Sequence, residues 1–173
     1  MMILYHGTIK ESADSIVQGI DLTKSKASVD FGRGFYLTED ELQAIKWVEE
    51  EAEPAILKFS FDPSGLKKII FDKPDERWAK FVVANRLQMS LYHYDFAVGP
   101  MADAGVSAIQ RRFKAGTITF DQAVQRIVGH TNGTQVAVLS RKAVGHLKLL
   151  EVIDHDLQAE RARILGLDSK NPS

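Results

Sequence analysis

Short apolar segments and amphipathic segments follow one another along this 173-residue chain without the regular strand–helix–strand alternation that a doubly wound sheet requires. Met2 to Tyr5 is short and apolar and reads as a buried strand running straight into His6-Gly7-Thr8. From Lys10 to Gln18 the apolar residues Ala13, Ile16 and Val17 keep helical spacing, and Gly19 stands where a helix C-cap favours glycine. Asp21 to Asp30 is polar and aperiodic, a loop. Phe31-Gly32-Arg33-Gly34-Phe35-Tyr36-Leu37 is a glycine-hinged segment that becomes a strand. Thr38 and Glu41 then have the spacing of a capping box for a helix carrying Leu42, Ile45, Trp47 and Val48, ended by Pro54. Ala55 to Phe61 alternates like a half-buried strand, and Asp75 to Leu91 is amphipathic and helical. Asp95 to Val98 reads as a short strand closing on Gly99-Pro100. Helices follow at Asp103 to Lys114 and, after a Thr119 cap, at Phe120 to Val128. Gln135 to Leu139 is a strand, Arg141 to His146 a helical stretch, Lys148 to Ile153 a final strand and Asp156 to Leu165 a last helix. This mixture predicts one α+β domain with largely antiparallel sheets over residues 1–166, followed by a polar tail from Leu167 to Ser173.

Composition narrows the function. Lys plus Arg number 22 and Asp plus Glu 23, for a net charge of −1, which argues against a dedicated nucleic-acid binder. Arg111, Arg112 and Lys114 form a small basic cluster that reads most simply as a solvated helix face. The absence of cysteine excludes a disulfide framework, thiol catalysis and Cys-ligated zinc. The apolar run in MMILYHGTIKES is too short for a signal peptide, and no stretch approaches a membrane span, so the expectation is a cytoplasmic protein without membrane attachment. There is no phosphate-cradling G-x-x-x-x-G-K-[ST] and no G-x-S-x-G elbow. His6, His93, His130, His146 and His155 lack metal-ligand spacing, so no metal is expected. Gly32 and Gly34 are followed by Tyr36 and Leu37 and by no third glycine opening a helix, which ends a dinucleotide-fold reading.

What remains is an ordered set: His6-Gly7-Thr8 after a first strand, Gly19-Ile20 after a helix, and Phe31-Gly32-Arg33-Gly34-Phe35-Tyr36 before a second strand. In this set the chain resembles the ADP-ribosyltransferases of the diphtheria toxin and poly(ADP-ribose) polymerase type. Their first motif is histidine, glycine and a small hydroxyl residue, and their second is similar to residues 31–36. In that family a second aromatic ring follows the motif-two tyrosine by eleven residues; here that position is Trp47. The family's third motif is a glutamate at the start of a later strand, after a polar turn. In Thr131-Asn132-Gly133-Thr134-Gln135 the position is Gln135, so the set is His-Tyr-Gln rather than His-Tyr-Glu. The chain also resembles a set of short bacterial relatives of uncharacterised function, with a segment like Asp95-Phe96-Ala97-Val98-Gly99-Pro100 followed by Ala102-Asp103. The resemblance runs from Ile3 to about Leu150 and implies a split β-sandwich of two antiparallel sheets flanked by helices.

The resemblance implies NAD as co-substrate and His6, Tyr36 and Gln135 as catalytic residues. His6 would bond a hydroxyl of the adenosine ribose, the Gly7 backbone the nicotinamide amide, and Tyr36 and Trp47 would clamp the nicotinamide ring. Thr8 and Gly34 complete the binding set. A serine that bonds the amide in the polymerases falls at Ala44, which loses that contact. Gln135 would reach the 2′-hydroxyl of the nicotinamide ribose, keeping a hydrogen-bond acceptor without a glutamate's charge. Asp103, then Asp30, are the carboxylates nominated to help activate an acceptor. Taken singly, His6 is a satisfied histidine, the glycines a turn or bulge, Tyr36 and Trp47 packing residues and Gln135 a strand start; only the ordered set points elsewhere. The leading expectation is a mono-ADP-ribosyltransferase acting on a protein or nucleic-acid acceptor, as an intracellular toxin held in check by an inhibitor or antitoxin protein. The same site could send ADP-ribose to water as an NAD glycohydrolase, or bind NAD or ADP-ribose without turnover.

Overall fold

In chain order the elements are β1 (Met2–Ile9), α1 (Lys10–Gln18), β2 (Phe35–Leu37), α2 (Glu41–Val48), β3 (Pro54–Phe61), β4 (Lys68–Ile70) and α3 (Glu76–Arg86). Then come β5 (Phe96–Ala102), α4 (Val106–Lys114), α5 (Phe120–Ile127), β6 (Thr131–Val138), α6 (Arg141–Val144), β7 (Leu147–Ile153) and α7 (Leu157–Ile164). This architecture is a computed structural model that describes residues 1–89, 93–102 and 105–167. The chain is α+β, with one three-stranded and one four-stranded sheet among the described residues. It divides into two compact units: Met1–Ile20, Leu37–Asp62 and the chain from Leu147 onward form the first, and Asp21–Tyr36 with Pro63–His146 the second.

The first unit holds the sheet β1-β3-β7, antiparallel throughout. β3 is its central strand, which explains why Ala55, Ile56 and Leu57 are apolar in succession: both faces are covered. Gly7 pairs with Ile56 and Ile56 with Ile153, so these three share a face. Ile56 and Ile153 cluster there with Ala44, Ile45 and Val48 of α2 and Leu157 of α7. Asp156 caps α7, accepting from the backbone N–H groups of Gln158 and Ala159, and Arg161 pairs with Glu49 at 2.7 Å.

In the second unit the strand order is β2-β6-β5-β4. β5 and β6 are antiparallel, but β4 runs parallel to β5, so this sheet is mixed where the sequence predicts antiparallel pairing. β4 has only three residues, too few to show a period, and the sequence gives no sign of it. The core gathers Phe31, Phe71 and Phe81, whose ring centroids lie 5.2–6.2 Å apart, with Trp78, Val82, Val124 and Ile127 of α3 and α5. The indole of Trp78 donates to the Pro100 carbonyl at 2.8 Å, which satisfies its polar edge in an apolar setting.

Four boundaries differ from the sequence reading. β1 continues through Ile9, so His6, Gly7 and Thr8 are strand residues paired with β3 and do not follow the strand. β5 passes through Gly99-Pro100; β4 pairs only with Phe96–Val98, so at Pro100 the strand has one neighbour, where a residue without an N–H is tolerated. β6 begins at Thr131, and the expected turn before Gln135 is the first half of a strand. α3 ends at Arg86, with Gln88 in the left-handed region at φ 58°. The expected helical residues Ser90 and Leu91, like the proposed helix start at Asp103, lie outside the described residues.

The N-cap of α2 also moves. Thr38 exchanges both backbone hydrogen bonds with Tyr5, and its Oγ1 accepts from the Asp40 N–H, so Asp40 becomes the cap. Asp40 Oδ1 accepts from Leu42 N–H at 2.9 Å and Gln43 N–H at 3.2 Å. Asp40→Ala is expected to cost about 1 kcal/mol of stability in urea unfolding. An unchanged midpoint would return the cap to Thr38.

Candidate functional site

The first unit carries His6, Gly7, Thr8 and Trp47. Side chains alternate along β1, so Tyr5 and Gly7 share the face toward α2 while Leu4, His6 and Thr8 take the other. Gly7 is the point of closest approach. A Cβ there would lie 2.4 Å from the Ala44 carbonyl oxygen and 3.3 Å from Val48 Cγ1, so α2 can lie on β1 only across a glycine. Ala44 is itself fully buried at this contact. Trp47, one turn further along the helix, is half-buried against the cluster of Ala44, Ile45 and Val48. On the same face of β1 as Gly7, burial raises the pKa of the Tyr5 phenol, and the charge of Glu41 adds to the shift.

The strand geometry also settles which way the backbone of Gly7 points. In an antiparallel ladder the N–H and C=O of a residue face one edge, and successive residues alternate. Tyr5 N–H donates to Thr38 O at 2.8 Å and Thr38 N–H donates to Tyr5 O at 2.9 Å. The N–H and C=O of Gly7 therefore face that same edge, away from β3. No described residue outside the strand ladders bonds them.

Gly34, Tyr36, Asp30 and Gln135 belong to the second unit. The Tyr36 hydroxyl turns back on its own loop, donating to the Gly32 carbonyl at 2.7 Å and accepting the Phe31 N–H at 3.0 Å. Burial pushes this phenol far above its ordinary pKa, so it stays a neutral donor. Gly32 has φ +86°, a backbone region that side chains disfavour. Gly34 is packed so closely that a Cβ would lie 2.8 Å from the Val138 carbonyl oxygen and 2.7 Å from Leu139 Cδ2. Its N–H donates to Ser25 Oγ at 3.2 Å, and the exposed Arg33 donates to the Thr23 carbonyl at 2.6 Å. The two motif glycines thus serve a tight turn, closed by the tyrosine at its end.

Asp30 and Gln135 meet directly. Gln135 Nε2 donates to Asp30 Oδ2 at 2.9 Å, between side chains 105 positions apart. Both residues are buried, at 4% and 5% exposure. Asp30 Oδ2 also accepts the Ala102 N–H at 2.8 Å. Its other oxygen receives the Arg86 guanidinium, from Nε at 2.6 Å and Nη2 at 2.5 Å. Gln135 stands in mid-strand opposite Gly99, not at the strand start expected from the sequence. Asp30, expected as a spare acid, is bonded on both oxygens. Nothing in the sequence marks Arg86: a basic residue in the last turn of a helix is ordinary. Asp103, the other expected acid, lies outside the described residues.

A family model described as "Protein of unknown function (DUF3990)" matches residues 2–149, and the chain belongs to that family. Neither the curated proteins nor the solved structures contain a match to it. No helix among the described residues is long and apolar enough to cross a membrane.

Two substitutions test this geometry. Gly7→Ala is expected to lose about 1–3 kcal/mol in urea unfolding, the usual cost of overpacking. Full stability would mean that α2 is not pressed onto β1. Tyr36→Phe keeps the ring and removes the hydroxyl, leaving the Phe31 N–H without its acceptor. It should lose about 1–3 kcal/mol, and an unchanged stability would show that the turn holds without the tyrosine.

Proposed function

We propose that this member of the DUF3990 family is a mono-ADP-ribosyltransferase, which breaks the nicotinamide–ribose bond of NAD and transfers ADP-ribose to a protein or nucleic-acid acceptor. The observation that carries the reading is the open backbone edge at Gly7. A primary carboxamide presents one acceptor and a pair of donors side by side, and an outward N–H and C=O on a strand edge match that pattern. Nicotinamide is such a carboxamide. Trp47, one turn beyond the helix carbonyl that meets Gly7, supplies a flat ring for the base; Tyr36 is the second aromatic residue that the resemblance implies. In this reading the two sheets are those of an ADP-ribosyltransferase-like split β-sandwich.

The remaining residues have roles suited to their chemistry. His6, half-buried on β1, is a donor and acceptor for a hydroxyl of the adenosine ribose, with Thr8 on the same strand face. Gln135 takes the 2′-hydroxyl of the other ribose. Cleavage breaks the C–N bond and leaves the electron pair on nicotinamide, so positive charge develops on the sugar. The acceptor's nucleophilic atom then bonds to that carbon and gives up its proton. Nicotinamide is already a good leaving group, and catalysis therefore rests on orientation and electrostatics. A neutral glutamine stabilises the cationic sugar less than a carboxylate would. That favours slow turnover without the acceptor and makes release strongly acceptor-dependent.

The test is nicotinamide release from NAD labelled in the adenylate half, with purified protein alone and with cell lysate. Release that needs lysate and leaves label on a macromolecule is the expected result, abolished in His6→Ala with little change in thermal midpoint. Trp47→Ala should raise the KM for NAD about tenfold through loss of ring stacking. Release without retained label would make the protein an NAD glycohydrolase, and NAD binding with no release a binding module. Neither release nor binding would falsify the reading.

A further inference from the structure

We infer that Asp30, held by Arg86, is a positioning residue that dictates which end of the Gln135 amide faces outward and excludes a carboxylate at that position. The inference rests on the proposed function only in naming the ribose hydroxyl as what the outward end receives. An ionised carboxylate accepts hydrogen bonds and donates none. Gln135 must therefore offer Asp30 its NH2, and the planar amide turns Oε1 the opposite way. Oε1 has no hydrogen-bond partner among the described residues. Facing a hydroxyl, which can donate or accept, a glutamine amide could flip at small cost; beside Asp30 the flipped form sets two acceptor oxygens against each other in a buried site.

Arg86 makes this arrangement sustainable. Burying a lone carboxylate is costly, and the Arg86 guanidinium, with its side chain 16% exposed, closes on Asp30 Oδ1 while the Ala102 N–H fills Oδ2. One cation balances one anion. A glutamate in place of Gln135 would be nearly isosteric but would bring a second carboxylate to an oxygen now 2.9 Å from Nε2, with no second cation among the described residues bonded there. Two such groups cannot both ionise. The glutamine is thus the residue that Asp30 requires, and the negative charge lies one hydrogen bond behind the acceptor rather than on it. The outward group is a neutral carbonyl oxygen, suited to a hydroxyl donor such as a ribose 2′-OH.

The test uses the full chain and three variants: Gln135→Glu, Asp30→Asn, and the exchange Asp30→Asn/Gln135→Glu, which keeps one acid and one amide in the pair. In Gln135→Glu one carboxyl of the pair has a folded pKa above its unfolded value. Stability is then retained at low pH and lost as pH rises through the folded pKa. The folded-to-unfolded ratio from urea unfolding should fall at least tenfold more between pH 5 and pH 8 than for the parent, and the exchange should remove most of that excess. The second readout does not depend on Gln135→Glu folding well. In 1H–15N spectra of the parent the Gln135 side-chain NH2 should be shifted downfield and protected from solvent exchange, and Asp30→Asn should move and broaden it. Asp30→Asn should also lower kcat for nicotinamide release about tenfold with less than a twofold change in KM. Equal pH dependence of Gln135→Glu and parent, or an unmoved NH2 pair in Asp30→Asn, overturns the coupling. If both readouts follow expectation while the parent releases no nicotinamide, the coupling stands and the NAD reading alone is lost.

Discussion

The buried carboxylate of Asp30 is the constraint on which the second unit depends. It draws a guanidinium from the end of α3, a backbone N–H from β5 and an amide from β6 to the residue just before the glycine turn. These segments are far apart in sequence, and a single anion ties them because each contributes a donor that would otherwise be costly to bury. Removing one member of such a set leaves the others unpaired, so breaking it costs roughly 3–5 kcal/mol, far more than an exposed ion pair contributes. Phe31, the next residue, enters the core against Phe71 and Phe81, so the polar anchor and the apolar packing begin side by side.

In the first unit the corresponding constraint is steric. α2 rests on β1 where Gly7 has no side chain, and the helix carbonyl of Ala44 occupies the space a methyl would need. One residue thereby does two things: its missing Cβ admits the helix, and its backbone polar groups face the strand edge. The second unit has its own counterpart: the amide of Gln135, held by Asp30, is an uncharged polar group fixed by packing.

Much of the fold was legible because the relevant signals are local. α1 lies at the expected residues 10–18, and Thr119 with Gln122 forms the capping box at the start of α5. Ser140 and Asp156 cap α6 and α7 through side-chain bonds of the same kind. What failed was long-range. Thr38 has the composition of an N-cap, but a backbone bridge to Tyr5 engages it and shifts the cap to Asp40. Gly99-Pro100 has the composition of a turn, yet β6 pairs alongside and carries the strand through. β4 exists because β5 offers it an edge, which no property of Lys68-Ile69-Ile70 announces.

The candidate site divides along the same line. Sequence by itself determined which residues to watch: His6, Gly7, Tyr36, Trp47 and Gln135 are each ordinary alone, and only the family resemblance that their order and spacing carry singles them out. Tertiary structure alone decided what they touch. It closed the Tyr36 hydroxyl onto Gly32, pressed Gly7 against Ala44, and joined Asp30 to Gln135 with Arg86 behind them. The reason is physical. A backbone preference acts over a few residues and leaves its mark in the local sequence. A buried hydrogen bond or a steric contact depends on which distant segment arrives opposite, and only the packed chain brings residues 105 positions apart to within 2.9 Å.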